Sequence, residues 1–220
     1  MKKCLSIFVF TLLFVSFSAD ANTRLRRSSK APVSIIGKPA FNFELKDMDG
    51  KMRKLSDYTD KGKWVVLEWL NPDCPFVKKH YDSGNMQKIQ AEYTKKGVIW
   101  LSINSSAAGK EGHLTQSTAT AFWRKSKSRA TTILLDPEGQ TAKYYQAKVT
   151  PHMFIVNPKR ELAYKGAIDN DPYPEFPNDK KERSKVVNYV EKGLEEALNN
   201  RIISTDTTRP YGCGIKFAKK

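Results

Sequence analysis

Cysteine and histidine are scarce in this chain of 220 residues, three of each. His80, His113 and His152 share no short ligand spacing, so no metal centre is expected and each histidine reads as a surface residue. No second thiol neighbours Cys74: Asn71 stands three positions before it and Val77 three after, which excludes dithiol exchange within one C-x-x-C motif. There is no internal repeat, no cofactor is expected, and beyond the N-terminal segment no apolar run could span a membrane. Acidic residues are the minority sign, 23 against 38 Lys and Arg, for a formal charge of +15. That excess favours anionic surfaces, yet the basic runs Arg124 to Arg129 and Lys180 to Lys185 lack a recognised nucleic-acid motif, and no nucleic-acid partner is expected.

What is present is a core-forming composition, 40% hydrophobic and 11% aromatic, at a length suited to one domain. Met1-Lys2-Lys3 followed by the apolar run Leu5 to Phe17 and by Ala19-Asp20-Ala21 has the layout of a secretory signal peptide. Cleavage is expected after Ala21, giving a periplasmic or secreted protein with no stable membrane insertion. Cys4 precedes the apolar run and leaves with it. Residues 22–31 read as a flexible basic leader, 32–203 as the folded domain, and 204–220 as a mobile tail carrying Cys213.

Along the domain, Phe41, Phe43 and Leu45 alternate with polar residues, Asp49-Gly50 offers a turn and Lys51 to Leu55 returns, predicting a β-hairpin at one end of the main sheet. Lys63 to Leu70 is almost unbroken apolar sequence, as in a strand covered on both faces. Pro75 to Lys96 spaces Phe76, Val77, Tyr81, Met86, Ile89 and Tyr93 along one helical face, with a kink allowed at Gly84. Val98 to Ile103 is a second buried strand, parallel to the first across that crossover. A loop to Thr118, a helix over 119–127, a strand at 131–135, a helix at 140–146 and strands at 152–156 and 161–165 follow. Lys180 to Asn200 carries a helical stripe at Val186, Val187, Val190, Leu194 and Leu198.

Cys74 and Cys213 alone remain after maturation, and in an oxidising compartment such a pair is open to structural bridging. Cys74, however, ends a strand-turn segment and precedes Pro75, a residue suited to the first position of a helix. A thiol there meets free backbone N–H groups and the positive end of the helix dipole, which favour thiolate and hence a nucleophile. Lys78, Lys79 and His80 add positive potential and Asp73 opposes it.

Several segments together resemble a known family: Ile36 to Phe43, Asp49-Gly50-Lys51, Asn71-Pro72-Asp73-Cys74-Pro75-Phe76-Val77-Lys78, Val149-Thr150-Pro151, Tyr164 to Asp169 and Gly212 to Phe217. The chain is similar to thioredoxin-fold redoxins, specifically the peroxiredoxin-like group related to alkyl hydroperoxide reductase and thiol-specific antioxidant proteins. The resemblance implies an α/β fold with a central mixed sheet flanked by helices and an N-terminal β-hairpin. It implies Cys74 as the active-site thiol, with Asn71, Pro75, Thr150 and Pro151 in support. In such folds the Thr150-Pro151 bond is cis and the loop offers the Thr150 backbone to an extended thiol or disulfide substrate.

Asn71 stands where the family usually has a hydroxyl that orients peroxide, and the arginine that steadies the thiolate is not assignable among Arg124, Arg129 and Arg160. Two functions remain in view. One is a thiol-dependent peroxidase or thiol-disulfide oxidoreductase whose Cys74 attacks a peroxide or disulfide and is restored by Cys213 or, favoured slightly, by an external thiol reductant. The other is a non-enzymatic thiol sensor or binding protein.

Overall fold

The computed structural model describes residues 35–219, so the expected signal peptide and basic leader lie outside the described residues. In chain order the elements are β1 (Glu44–Asp47), β2 (Met52–Lys54), α1 (Ser56–Thr59), β3 (Val65–Trp69), α2 (Pro75–Asp82), α3 (Asn85–Lys95), β4 (Ile99–Asn104), α4 (Gln116–Lys125) and β5 (Thr132–Leu135). They continue with α5 (Gln140–Tyr145), β6 (Val149–Thr150), β7 (His152–Val156), β8 (Leu162–Gly166), α6 (Lys180–Arg183), α7 (Tyr189–Leu198) and β9 (Cys213–Gly214).

Seven strands form one sheet in the order β2-β1-β5-β4-β3-β7-β8. β3, β4 and β5 run parallel, and β7 lies antiparallel to both β3 and β8. The apolar run of β3 divides between two cores because successive side chains point to opposite faces. Val66 joins Val77, Tyr81, Ile89, Trp100, Met153 and Ile155 on one face; Val65, Leu67 and Trp69 join Leu101, Ile103, Phe154 and Val156 on the other. Both faces are therefore dry, which is why β3 has almost no polar position. The hairpin β1–β2 pairs through Glu44↔Lys54 and joins the sheet through β5, as its turn predicts. This is the mixed α/β architecture expected from the sequence.

Four details differ from expectation. Gly84, at φ 76°, splits the 75–96 segment into α2 and α3 instead of merely bending it. α4 starts earlier than 119, because Thr115 caps it by accepting from the Thr118 N–H. Val186 and Val187 are not on a helix: Asn170 Oδ1 accepts the Val187 N–H at 2.8 Å, Asp169 bridges Asn188, and Asn188 caps α7. The 204–219 segment is docked against the domain, its β9 pairing antiparallel with β6.

Candidate functional site

The end of β3 delivers the chain to a tight loop whose geometry is set by Asn71. Its Oδ1 accepts the Asp73 N–H at 2.8 Å and its Nδ2 donates to the Glu111 carbonyl. Gly112 leaves it room, since a Cβ there would lie 1.8 Å from Asn71 Oδ1. The loop ends at Cys74, the N-cap of α2, with extended backbone angles (φ −70°, ψ 124°) and Pro75 opening the helix. The Cys74 carbonyl accepts from the Val77 and Lys78 N–H groups, so the first turn is closed and the thiol sits at its positive end.

Cys74 is completely buried. Its Sγ donates to the Thr150 carbonyl at 3.0 Å, and the Thr150-Pro151 peptide that follows is cis. Thr150 is paired in register with Cys213, both cysteines are free thiols, and Cys213 packs against the core cluster that contains Cys74. Burial first, then the neighbouring Cys74, pushes the Cys213 thiol up to about 12, with Lys216 acting in the opposite direction. Cys213 is half-exposed and Cys74 is not, so solvent meets the pair from the Cys213 side.

The positive potential expected from Lys79 and His80 is corrected by their surroundings. Lys79 is buried and its charge is taken up by Asp171, with Nζ 2.9 Å from Oδ2 and 2.7 Å from the backbone carbonyl, above the Phe176 ring at 4.3 Å. His80 is buried rather than at the surface, and desolvation, aided by Lys79, lowers it to about 3, so it is neutral. His152 is buried too and lowered to about 3 by desolvation, then by Lys165 and Lys148; its Nδ1 accepts the Lys148 N–H at 3.3 Å. Neutral imidazole has enough apolar ring surface to join a core, which a surface assignment overlooks. Of the candidate arginines, Arg124 is in the last turn of α4, Arg129 follows that helix, and Arg160 sits in the β7–β8 turn.

Three participants escaped sequence reasoning. Tyr211 donates to Asp169 Oδ1 and contacts His80 Nε2 at 3.2 Å, tying the tail to α2. Gly212, at φ 132°, lies so close to Thr150 that a Cβ would fall 2.1 Å from its carbonyl oxygen. Of the two glycines flanking Cys213, Gly212 was the available signal, and it marks close backbone approach; Gly214 has open space around it. Glu68 is buried beneath α2 and α3, accepting from Tyr81, Gln90, Trp100 and Ser102.

A model of the AhpC/TSA family matches residues 36–165. Thiol-disulfide oxidoreductase ResA of Bacillus subtilis is 27% identical over 164 residues, covering 74% of this chain and 85% of that protein. ResA of Bacillus cereus is 26% identical over 158 residues, covering 71% and 84%. Among solved structures, a hypothetical protein from Sinorhizobium meliloti superposes with a TM-score of 0.73 at 23% identity, over 86% of this chain and 97% of that one. An uncharacterized conserved protein from Geobacillus kaustophilus gives 0.71 at 24% identity, over 84% and 93%.

Proposed function

Since the chain belongs to the AhpC/TSA family and has a thioredoxin-like fold, we propose that it is an exported thiol-disulfide oxidoreductase in which Cys74 is the nucleophile and Cys213 the second thiol. The observation that carries this reading is that Cys74, at the N-terminus of α2, donates to the carbonyl of Thr150, the same residue that Cys213 pairs with across β6 and β9. Two cysteines separated by most of the domain thus replace the single dithiol motif that the sequence lacks.

The Cys74 thiolate attacks one sulfur of a substrate disulfide; that S–S bond breaks, one substrate thiolate leaves, and a mixed disulfide remains. Cys213 then gives up its proton and attacks the Cys74 sulfur. The second substrate thiolate leaves and takes up a proton. The substrate gains two electrons and two protons, Cys74 and Cys213 lose them, and an external dithiol reverses the new bond by the same exchange. Loss of Cys213 leaves the mixed disulfide to the external reductant alone.

Disulfide is favoured over peroxide because both ends of the Asn71 amide are engaged in holding the loop, leaving it a poor substitute for a peroxide-orienting hydroxyl. The ResA relatives are named for the same chemistry. Export is supported by the signal layout of residues 1–21; among the described residues no helix is long and apolar enough to cross a membrane. The test is turnover by purified protein of a small disulfide and, separately, of hydrogen peroxide, each with a dithiol reductant. Cys74→Ser should lose at least a hundredfold on the disulfide while retaining the fold, and wild-type turnover in that variant would overturn the assignment.

A further inference from the structure

The segment 206–217 crosses the site as a strap pairing in turn with β8 and β6. It first runs beside β8, where the Lys165 N–H donates to the Asp206 carbonyl at 3.0 Å and the Thr208 N–H donates to the Lys165 carbonyl at 3.1 Å. Tyr211 then anchors to Asp169 and His80. Gly212 presses on the Thr150 carbonyl, and β9 pairs with β6 so that Cys213 faces Thr150. Beyond it, the Ile215 N–H reaches the Lys148 carbonyl and the Lys216 carbonyl accepts the Ala107 N–H.

The β6 edge beside a nucleophilic thiol is a place where an extended peptide adds as a strand, main-chain bonds giving affinity and a side chain being offered to the thiol. Here that strand already exists, and the side chain it offers is a cysteine. We propose that residues 206–217 are a resident pseudosubstrate: they fill the edge that receives a cysteine-bearing, extended segment of a partner protein, and the partner gains Cys74 by displacing them. This rests on the thiol-disulfide reading above and adds to it a control on access.

Displacement is physically reasonable because the tail is only partly buried: Tyr211, Cys213, Ile215 and Phe217 pack on the edges of the two cores without entering them, and main-chain bonds supply the rest. No residue from 204 to 219 is buried, while Cys74 and Thr150 beneath it are. Segments with few buried apolar contacts open below the global unfolding free energy. A docked tail also has the advantage of tethering, an effective concentration of about millimolar for a short flexible link, so a partner's segment must pair better than the tail or meet it weakened. Once the partner is joined to Cys74 as a mixed disulfide, the returning tail brings Cys213 to the same sulfur, and its attack expels the partner as a thiol. Occupancy and release are then one movement.

The experiment uses full-length protein with Gly212→Val, whose side chain cannot approach the Thr150 carbonyl, and independently Tyr211→Phe, which loses the anchor to Asp169. Two quantities are read: the rate of Cys74 alkylation by iodoacetamide, mapped by mass spectrometry, and binding of a fluorescent peptide spanning residues 209–217 with serine in place of Cys213. Both variants should be alkylated at least tenfold faster and bind the peptide at least tenfold more tightly than wild type, with a reversed-sequence peptide excluded. Equal alkylation, or faster alkylation without peptide binding, would overturn the pseudosubstrate. Peptide binding that strengthens as expected while no disulfide is turned over would instead defeat the catalytic reading and spare the groove.

Discussion

Replacing Glu68 tests whether the floor beneath α2 is built as described. Its Oε2 accepts from Trp100 Nε1 and Ser102 Oγ, both at 2.8 Å, and from Gln90 Nε2 at 3.2 Å, while Oε1 accepts from Tyr81 at 3.0 Å. In Glu68→Leu, Gln90 Nε2 still donates to the Tyr81 oxygen at 3.1 Å, but the Tyr81 O–H, the Trp100 N–H and the Ser102 O–H all lose their acceptor. Three orphaned buried donors at about 1–3 kcal/mol each give a loss of about 3–9 kcal/mol, a large share of a domain's stability. Glu68→Gln keeps an acceptor for Trp100, Ser102 and Gln90 but leaves the Tyr81 O–H without one, so its loss should be about 1–3 kcal/mol, smaller than that of leucine.

The pair also has a pH signature. Desolvation raises the Glu68 carboxyl above its usual 4.5, with its four hydrogen bonds opposing. The folded state therefore holds the proton longer than the unfolded one, and wild-type stability relative to Glu68→Gln is full below pH 4.5 and lost as pH climbs through the raised folded value. Urea unfolding of the three proteins across this range is the assay. A leucine variant as stable as wild type, a glutamine variant worse than leucine, or a glutamine difference flat with pH would refute the hydrogen-bond account.

Mild oxidation with a small disulfide should produce a Cys74–Cys213 bridge within one chain, seen by mass spectrometry; in Cys213→Ser the mixed disulfide on Cys74 should accumulate instead, and wild-type kinetics there would remove the second thiol from the cycle. His152, lowered to about 3 in the folded protein, contributes stability that is full above its usual 6.5 and is lost as pH falls toward 3. The stability difference between wild type and His152→Gln should thus change by about 1.4 kcal/mol per pH unit between those values, and a flat difference would show that this imidazole is charged in the fold.

The sequence exposes β3, β4 and the Cys74-Pro75 junction because each has a local signature: an unbroken apolar run, or a thiol next to a helix-starting proline. The loop around Thr150 was reached only through family resemblance. Glu68 was hidden because its partners at 81, 90, 100 and 102 come from three elements with no shared period. The docking of the tail was hidden for a related reason: the two-residue strand Cys213–Gly214 has no hydrophobic pattern to betray it, and its pairing depends on main-chain bonds to distant residues. Val186 and Val187 followed a helical period that Asn188 interrupts by capping the next helix instead. Local side-chain competition defeated periodicity there.

The path of residues 206–217 has a consequence for how copies of this protein meet one another. β8 is an outer strand of the main sheet, and the tail lies along it at Asp206 to Thr208 before crossing to the short strand β6. Unpaired strand edges are templates for joining another chain, and natural proteins cover them. One terminal segment here closes both. A tail driven out by a partner, or lost to proteolysis, uncovers not only a reactive sulfur but two rows of main-chain donors and acceptors. On the displacement proposed above, the event that admits a partner therefore also exposes the strand edges at which copies of the chain pair.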